Sequence, residues 1–175
     1  MILFVRFSLT AIALTLLLTA RWPAGAPALA ATPAGTPVDG IRCDQAEGAV
    51  FHIHQHLAIF AHGKPVGVPP DVGRPLVAQC LYWLHTHTDD GIIHVESPVF
   101  RTFTLGQFFD VWGEALTRNN VAGTKVRKGD LHIFVNGAPY KGDPRRIELA
   151  QHTDIVLEAG SPYHRPQPFT DWKGQ

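Results

Sequence analysis

Side chains that could bind a metal ion recur at strand spacing in two stretches of the chain. VFHIHQHLAIF contains three histidines, and WLHTHTDDGIIHVE contains three more together with a glutamate. Successive side chains of a strand alternate between faces, so residues two apart point the same way. Imidazole and carboxylate groups are ligands of first-row transition metals. The pattern predicts a metal site on a β-sheet, with candidate ligands His52, His54, His56, His85, His87, His94 and Glu96.

Distances along a strand limit how many of these groups can share one ion. Cα atoms two residues apart are separated by about 6.5–7 Å, whereas Cα atoms four residues apart are separated by about 13 Å. His52 and His56 therefore cannot easily share an ion. We expect three groups of the second stretch and one or two histidines of the first to hold one ion. The histidines of these two stretches that do not bind this ion would form a second, weaker site.

The ligand types narrow the choice of metal. Three imidazoles and an open position suit Zn²⁺ carrying a water molecule, which Glu96 could orient or deprotonate. A nitrogen-rich site also suits Cu(II), and two histidines with one carboxylate can form the facial triad of non-haem iron. Copper or zinc is the first expectation, and iron is the next. Met1 is the only methionine, which excludes a methionine-based Cu(I) carrier.

Recognisable turns join the strands that must position these groups. Residues 50–60 alternate between an apolar face and a histidine face, as a half-buried strand does. The Asp-Gly pair at 90–91 is a strong hairpin signal. A two-residue turn there pairs His87 with His94, whereas a four-residue loop pairs His85 with His94. Both registers keep the ligands on one face.

The remaining patterns predict an α+β fold, in which a mostly antiparallel β-sheet is accompanied by one amphipathic helix. Thr104 and Gln107 form a capping-box pattern before apolar residues at helical spacing, so a helix is expected at about residues 105–118. An Asn-Gly pair at 136–137 predicts a second hairpin. This order of elements resembles β-grasp topology, which is an analogy of fold alone. Further short strands are expected at residues 146–150 and 154–159.

The first residues have the order of a secretory signal peptide. Arg6 precedes an apolar run, and a stretch of small residues ends in Ala-Leu-Ala, so cleavage of residues 1–30 is expected after Ala30. An uncleaved N-terminal membrane anchor is the alternative. The mature protein would be periplasmic or extracellular. It would consist of a flexible lead-in at 31–42, one domain at 43–160 and a proline-rich tail at 161–175.

The two cysteines fall in the part expected to be exported. An oxidising compartment favours a disulfide between Cys43 and Cys80. A pair of thiolate metal ligands and two free buried thiols are the alternatives. The thiolate alternative is the weaker one because the sequence lacks a C-x-x-C arrangement.

Other chemistries lack a sequence signature. The sequence contains no G-x-S-x-G elbow, phosphate-binding loop or dinucleotide fingerprint. The 15 lysines and arginines equal the 15 aspartates and glutamates and are scattered, which argues against a nucleic-acid partner. CLYWLHTHTDDGIIHVESP and FTLGQFFDVWG resemble an uncharacterised family of exported bacterial proteins, over about residues 50–160. That resemblance implies export and brings no activity or substrate.

These observations predict a secreted or periplasmic protein that binds or handles a transition metal ion. A metal-dependent enzyme is the alternative, either a zinc hydrolase or lyase with Glu96 as the base, or an iron or copper oxidoreductase. The third hypothesis is a pH-responsive interaction module, because clustered imidazoles repel one another once protonated.

Overall fold

A computed structural model describes residues 34–164 and 166–175, so the expected signal peptide and its cleavage site lie outside the described residues. The fold is α+β, as predicted, and mostly β-sheet. The described strands are β1 (Cys43–Asp44), β2 (Phe51–Ala61), β3 (Lys64–Val66), β4 (Leu81–Tyr82), β5 (Leu84–His85), β6 (Ile92–Ser97), β7 (Leu116–Thr117), β8 (Asn120–Val121), β9 (Thr124–Lys125), β10 (Leu131–Val135), β11 (Ala138–Pro139) and β12 (Thr153–Ala159). The α-helix α1 spans Leu105–Trp112, and a short 3-10 helix spans Pro144–Arg146.

The largest sheet places the two histidine stretches side by side. Its strand order is β11-β10-β12-β2-β6-β5, and β3 also pairs with β2. The β12–β2 pair is parallel, whereas the other pairs of this sheet are antiparallel. Between β2 and β6, His52 lies opposite Glu96 and His54 lies opposite His94. Two smaller sheets, β1-β4 and β7-β8-β9, complete the described strands.

The hairpin between β5 and β6 has the register that was predicted for the longer loop. His85 pairs with His94 and not with Glu96. Gly91 has a φ of 80°, and its carbonyl accepts a hydrogen bond from the backbone N–H of Leu57 at 2.9 Å. This hydrogen bond holds Gly91 against β2. A tight two-residue turn at Asp90 and Gly91 therefore does not form.

The helix is shorter than the pattern predicts. Its start is as expected, because Thr104 and Gln107 form both hydrogen bonds of the capping box. It ends at Trp112 because Gly113 adopts a left-handed φ of 81° and donates its N–H to the carbonyls of Phe109 and Asp110. The chain then enters β7.

The second predicted hairpin is confirmed, whereas one predicted strand is not formed. Asn136 and Gly137 both have positive φ between β10 and β11, as a type I′ turn requires. Residues 146–150 were expected to form a strand. Arg146 instead ends the 3-10 helix, so extended pairing can begin only after it, and a single bridge forms between Thr104 and Glu148. The N–H of Leu105 donates to the carbonyl of Ile147, and the N–H of Leu149 donates to the carbonyl of Phe103.

The core lies on the sheet face opposite the histidines. Ile93 and Val95 of β6 are fully buried against the aromatic residues Phe103 and Phe108. The alternation of side chains therefore turns the even-numbered residues of β2 and β6 to the other face. The predicted disulfide between Cys43 and Cys80 is confirmed. Among the described residues, no helix has the length and apolar character that crossing a membrane would need.

Candidate metal centre

The histidine face contains two overlapping groups with the composition of metal sites. The inner group consists of His85, His87, His94 and Glu96, and the outer group consists of His52, His54 and His94. In each group, one potential ligand atom of every member lies within 4.8 Å of the others. Six of the seven predicted ligands thus come together, and β2, β5 and β6 position five of them.

Distances within the inner group are close to those of a tetrahedral site. Nε2 of His85 lies 3.3 Å from Nε2 of His87 and 3.9 Å from Oε2 of Glu96. Nδ1 of His94 lies 3.6 Å from Oε1 of the same carboxylate. Bonds of about 2.0–2.1 Å to a tetrahedral ion separate its ligand atoms by about 3.3–3.4 Å. The separation of 3.3 Å already has this length, whereas the other separations, all within 4.8 Å, would have to shorten for one ion to bind all four groups.

The outer group is tighter and reaches the same carboxylate. Nε2 of His52 lies 3.0 Å from Nε2 of His54 and 3.1 Å from Oε1 of Glu96. The rings of His54 and His94 meet edge to face, with centroids 4.6 Å apart. Glu96 consequently contacts both groups.

Several of these polar groups are buried without a hydrogen-bonding partner. His85 is fully buried, and Glu96 is only 3 % exposed. Among the described residues, Nδ1 of His54, Nδ1 of His94 and Oε2 of Glu96 have no hydrogen bond. Each such buried atom costs about 1–3 kcal/mol. A metal ion between the imidazoles and the carboxylate would supply the missing interactions.

Neighbouring groups orient two of the imidazoles. Nδ1 of His85 donates to the carbonyl of Tyr82 at 2.9 Å, which leaves Nε2 free to accept and directs it into the inner group. Such a bond on the opposite nitrogen is the usual support of a metal-binding histidine. His87 differs, because its Nδ1 accepts from Nη1 of Arg74 at 3.3 Å. Its Nε2 lies 4.0 Å from the exposed carboxylate of Glu47.

The surroundings favour the protonation states that metal binding needs. Burial is the main cause that lowers the pKa of His54 and of His85, each to about 4. Burial, followed by the charges of His94 and Arg74, also lowers the pKa of His87. Burial alone would raise the pKa of Glu96, but the facing histidines outweigh it and hold this pKa below its usual value. At neutral pH the rings of His54, His85 and His87 are therefore uncharged and the carboxylate of Glu96 is charged, and metal binding requires these net charges.

His56 shares the face but lies outside both groups. Its Nδ1 is 2.9 Å from Oδ1 of Asp154, and its ring stacks on Phe169 at 3.7 Å between centroids. The parallel pairing of β2 with β12 places Asp154 directly beside it. This position agrees with the expectation that His52 and His56, four residues apart in one strand, cannot easily share an ion.

Sequence reasoning missed three neighbours of the site. Arg74 and Glu47 lie in loops without a metal-binding pattern, and the contribution of Tyr82 is a backbone carbonyl. The sequence shows only that Tyr82 and His85 are three residues apart. That spacing alone does not predict a hydrogen bond between the carbonyl of Tyr82 and the ring of His85.

Comparison of the chain with protein-family models, curated proteins and solved structures gave no match. The function is therefore inferred from the side chains of the histidine face.

Proposed function

We propose that this protein is exported and binds a transition metal ion, zinc or copper, through the inner group. The observation that carries the proposal is the set of buried imidazole nitrogens and carboxylate oxygens that face one another without other partners. Packing such groups together is unfavourable unless something satisfies them. An ion bonded to His85, His87, His94 and Glu96 would supply the missing partners of Nδ1 of His94 and Oε2 of Glu96. The disulfide supports export, because disulfides persist in oxidising compartments.

The spacing of the ligand atoms supports zinc as the first candidate. The shortest separation, 3.3 Å between the Nε2 atoms of His85 and His87, suits a tetrahedral ion. Neighbouring ligands in a square plane would be about 2.8 Å apart for bonds of about 2.0 Å. Copper(II) is the competing candidate because its intrinsic affinity for imidazole nitrogen exceeds that of zinc.

Binding is better supported than catalysis at the inner group. Four protein groups are available to fill a tetrahedral shell, and three of them are buried. The lowered pKa of Glu96 suits an anionic ligand, whereas a general base works best when its pKa lies near the operating pH. A zinc hydrolase with Glu96 as the base therefore has less support.

Elemental analysis tests the proposal. The untagged full chain would be reconstituted with competing Cu²⁺, Zn²⁺ and Fe²⁺, dialysed, and analysed by inductively coupled plasma mass spectrometry. We expect near-stoichiometric retention of zinc or copper. A chain that retains no metal would overturn the proposal and leave the pH-responsive interaction module as the next hypothesis.

A further inference from the structure

The carboxylate of Glu96 lies between His52 of the outer group and His85 of the inner group. Oε1 lies 3.1 Å from Nε2 of His52 and 3.6 Å from Nδ1 of His94, which belongs to both groups. Oε2 lies on the side of the inner group, 3.9 Å from Nε2 of His85, and it has no hydrogen bond within the described part of the chain. The side chain is almost completely buried. A carboxylate in this position can bind two ions at once.

We propose that the two groups form a dinuclear metal centre in which Glu96 bridges a buried inner ion and a solvent-facing outer ion. This inference rests on the proposed function, because it adds a second ion to the inner site. The inner ion is held by His85, His87, His94 and Oε2 of Glu96. The outer ion is held by His52, His54 and Oε1 of Glu96.

A single ion would leave the outer histidines joined only by the hydrogen bond between their rings. Four ligands complete a tetrahedral shell at the inner group, and His52 and His54 then remain with their Nε2 atoms 3.0 Å apart. A second ion uses this pair. Two-metal sites place their ions about 3.5–4 Å apart, a separation that a bridging carboxylate spans.

The two positions differ in exposure. The side chain of His52 is 50 % exposed, whereas that of His85 is fully buried. The outer ion has three protein ligands and faces solvent, so it keeps a position for water or a small exogenous ligand. The inner ion has four protein ligands and is shielded. The outer ion is therefore bound more weakly and exchanges first.

Copper titration of the metal-free full chain tests the dinuclear centre. The number of bound Cu²⁺ ions is counted after desalting, and the electron paramagnetic resonance (EPR) intensity is recorded after one and two equivalents. We expect two ions per chain. We also expect the EPR intensity per copper to fall when the second equivalent binds, because bridged Cu(II) ions couple magnetically.

Two variants locate the outer ion. His52→Ala changes an exposed side chain, and it should retain one ion with full EPR intensity while the affinity for the second equivalent falls at least about 100-fold. His132→Ala removes an exposed histidine of β10 that belongs to neither group, and it should still bind two coupled ions. Glu96→Gln should abolish the coupling.

The outcomes separate this inference from the proposed function. One bound ion in the unmodified chain would overturn the dinuclear centre and leave the inner site standing. Two ions with additive, uncoupled EPR signals would overturn the bridge. A chain that binds no ion would overturn both proposals.

Discussion

At the scale of single residues, the imidazoles of His85 and His87 are the groups on which metal affinity should depend most. Replacing His85 and His87 together by alanine removes two of the four inner ligands, so zinc affinity should fall at least about 100-fold. Competition with a chromophoric chelator measures this loss. His164→Ala is the control, because that histidine lies by the C-terminal tail and outside both groups. Equal losses in the two variants would contradict the site assignment.

Arg74 should weaken metal binding in the present sequence. Its guanidinium donates to Nδ1 of His87, so the proton of the neutral ring resides on Nε2, where the ion would bind. It also places a positive charge beside the site. Arg74→Gln should therefore raise zinc affinity roughly 3- to 10-fold, as calorimetric titration would show. Arg127→Gln, a change at another exposed arginine, should have no effect. Weaker binding after Arg74→Gln would mean that Arg74 mainly orients His87.

The lowered histidine pKa values predict how the stability of the metal-free protein depends on pH. His54 and His85 protonate near pH 6.5 in the unfolded chain, but only near pH 4 in the folded protein. Between these values the unfolded state binds more protons, so acidification favours unfolding. The free energy of unfolding that depends on neutral His54 and His85 is therefore fully present above about pH 6.5 and is lost as the pH falls towards 4.

Thermal melts of the metal-free protein at several pH values test this dependence. The unfolding midpoint should decrease from pH 6.5 to pH 4, and His85→Gln should flatten the decrease. A midpoint that stays constant over this range would show that the two histidines do not titrate as described.

At the scale of secondary structure, the loop between β5 and β6 fixes the register of the ligands. An added Cβ on Gly91 would lie 2.6 Å from the carbonyl oxygen of Leu57. Gly91→Ala should therefore reduce the free energy of unfolding by about 1–3 kcal/mol and weaken zinc binding, as urea denaturation and zinc titration would measure. Gly137 has a similar positive φ but open space around it. Gly137→Ala should cost less stability and leave zinc affinity unchanged, and equal effects on zinc affinity would contradict a role for the loop.

Local patterns predicted the parts of the site that lie close together in sequence. Alternation in β2 and the hairpin signal at 90–91 were enough to predict that the seven candidate ligands share one face, and six of them come together there. The hairpin register depended on the hydrogen bond between Gly91 and Leu57 of β2. A pattern of neighbouring residues cannot reveal a contact between such distant parts of the chain. The position of His56 depended on β12, whose Asp154 is 98 residues away. The helix end was misjudged because the apolar spacing continued beyond Gly113, whose left-handed conformation stops the helix.

At the scale of the whole molecule, the disulfide joins two segments of the chain separated by 37 residues. Closing a loop of this length restricts the unfolded chain and contributes about 3–4 kcal/mol. The double variant Cys43→Ser with Cys80→Ser should lose roughly this free energy of unfolding in urea, while the number of bound zinc ions stays the same. An unchanged unfolding midpoint would show that the disulfide adds little to stability.

The order of strands in the large sheet has a consequence for how fast an ion could leave. β2, which carries His52 and His54, is flanked by β12 and β6, whereas β5, which carries His85, is a two-residue strand at the edge. Proteins open locally at free energies that range from almost zero up to that of global unfolding. The lifetime of the inner ion would then be governed by the fraying of β5, so the protein could release its metal while the rest of the sheet stays folded.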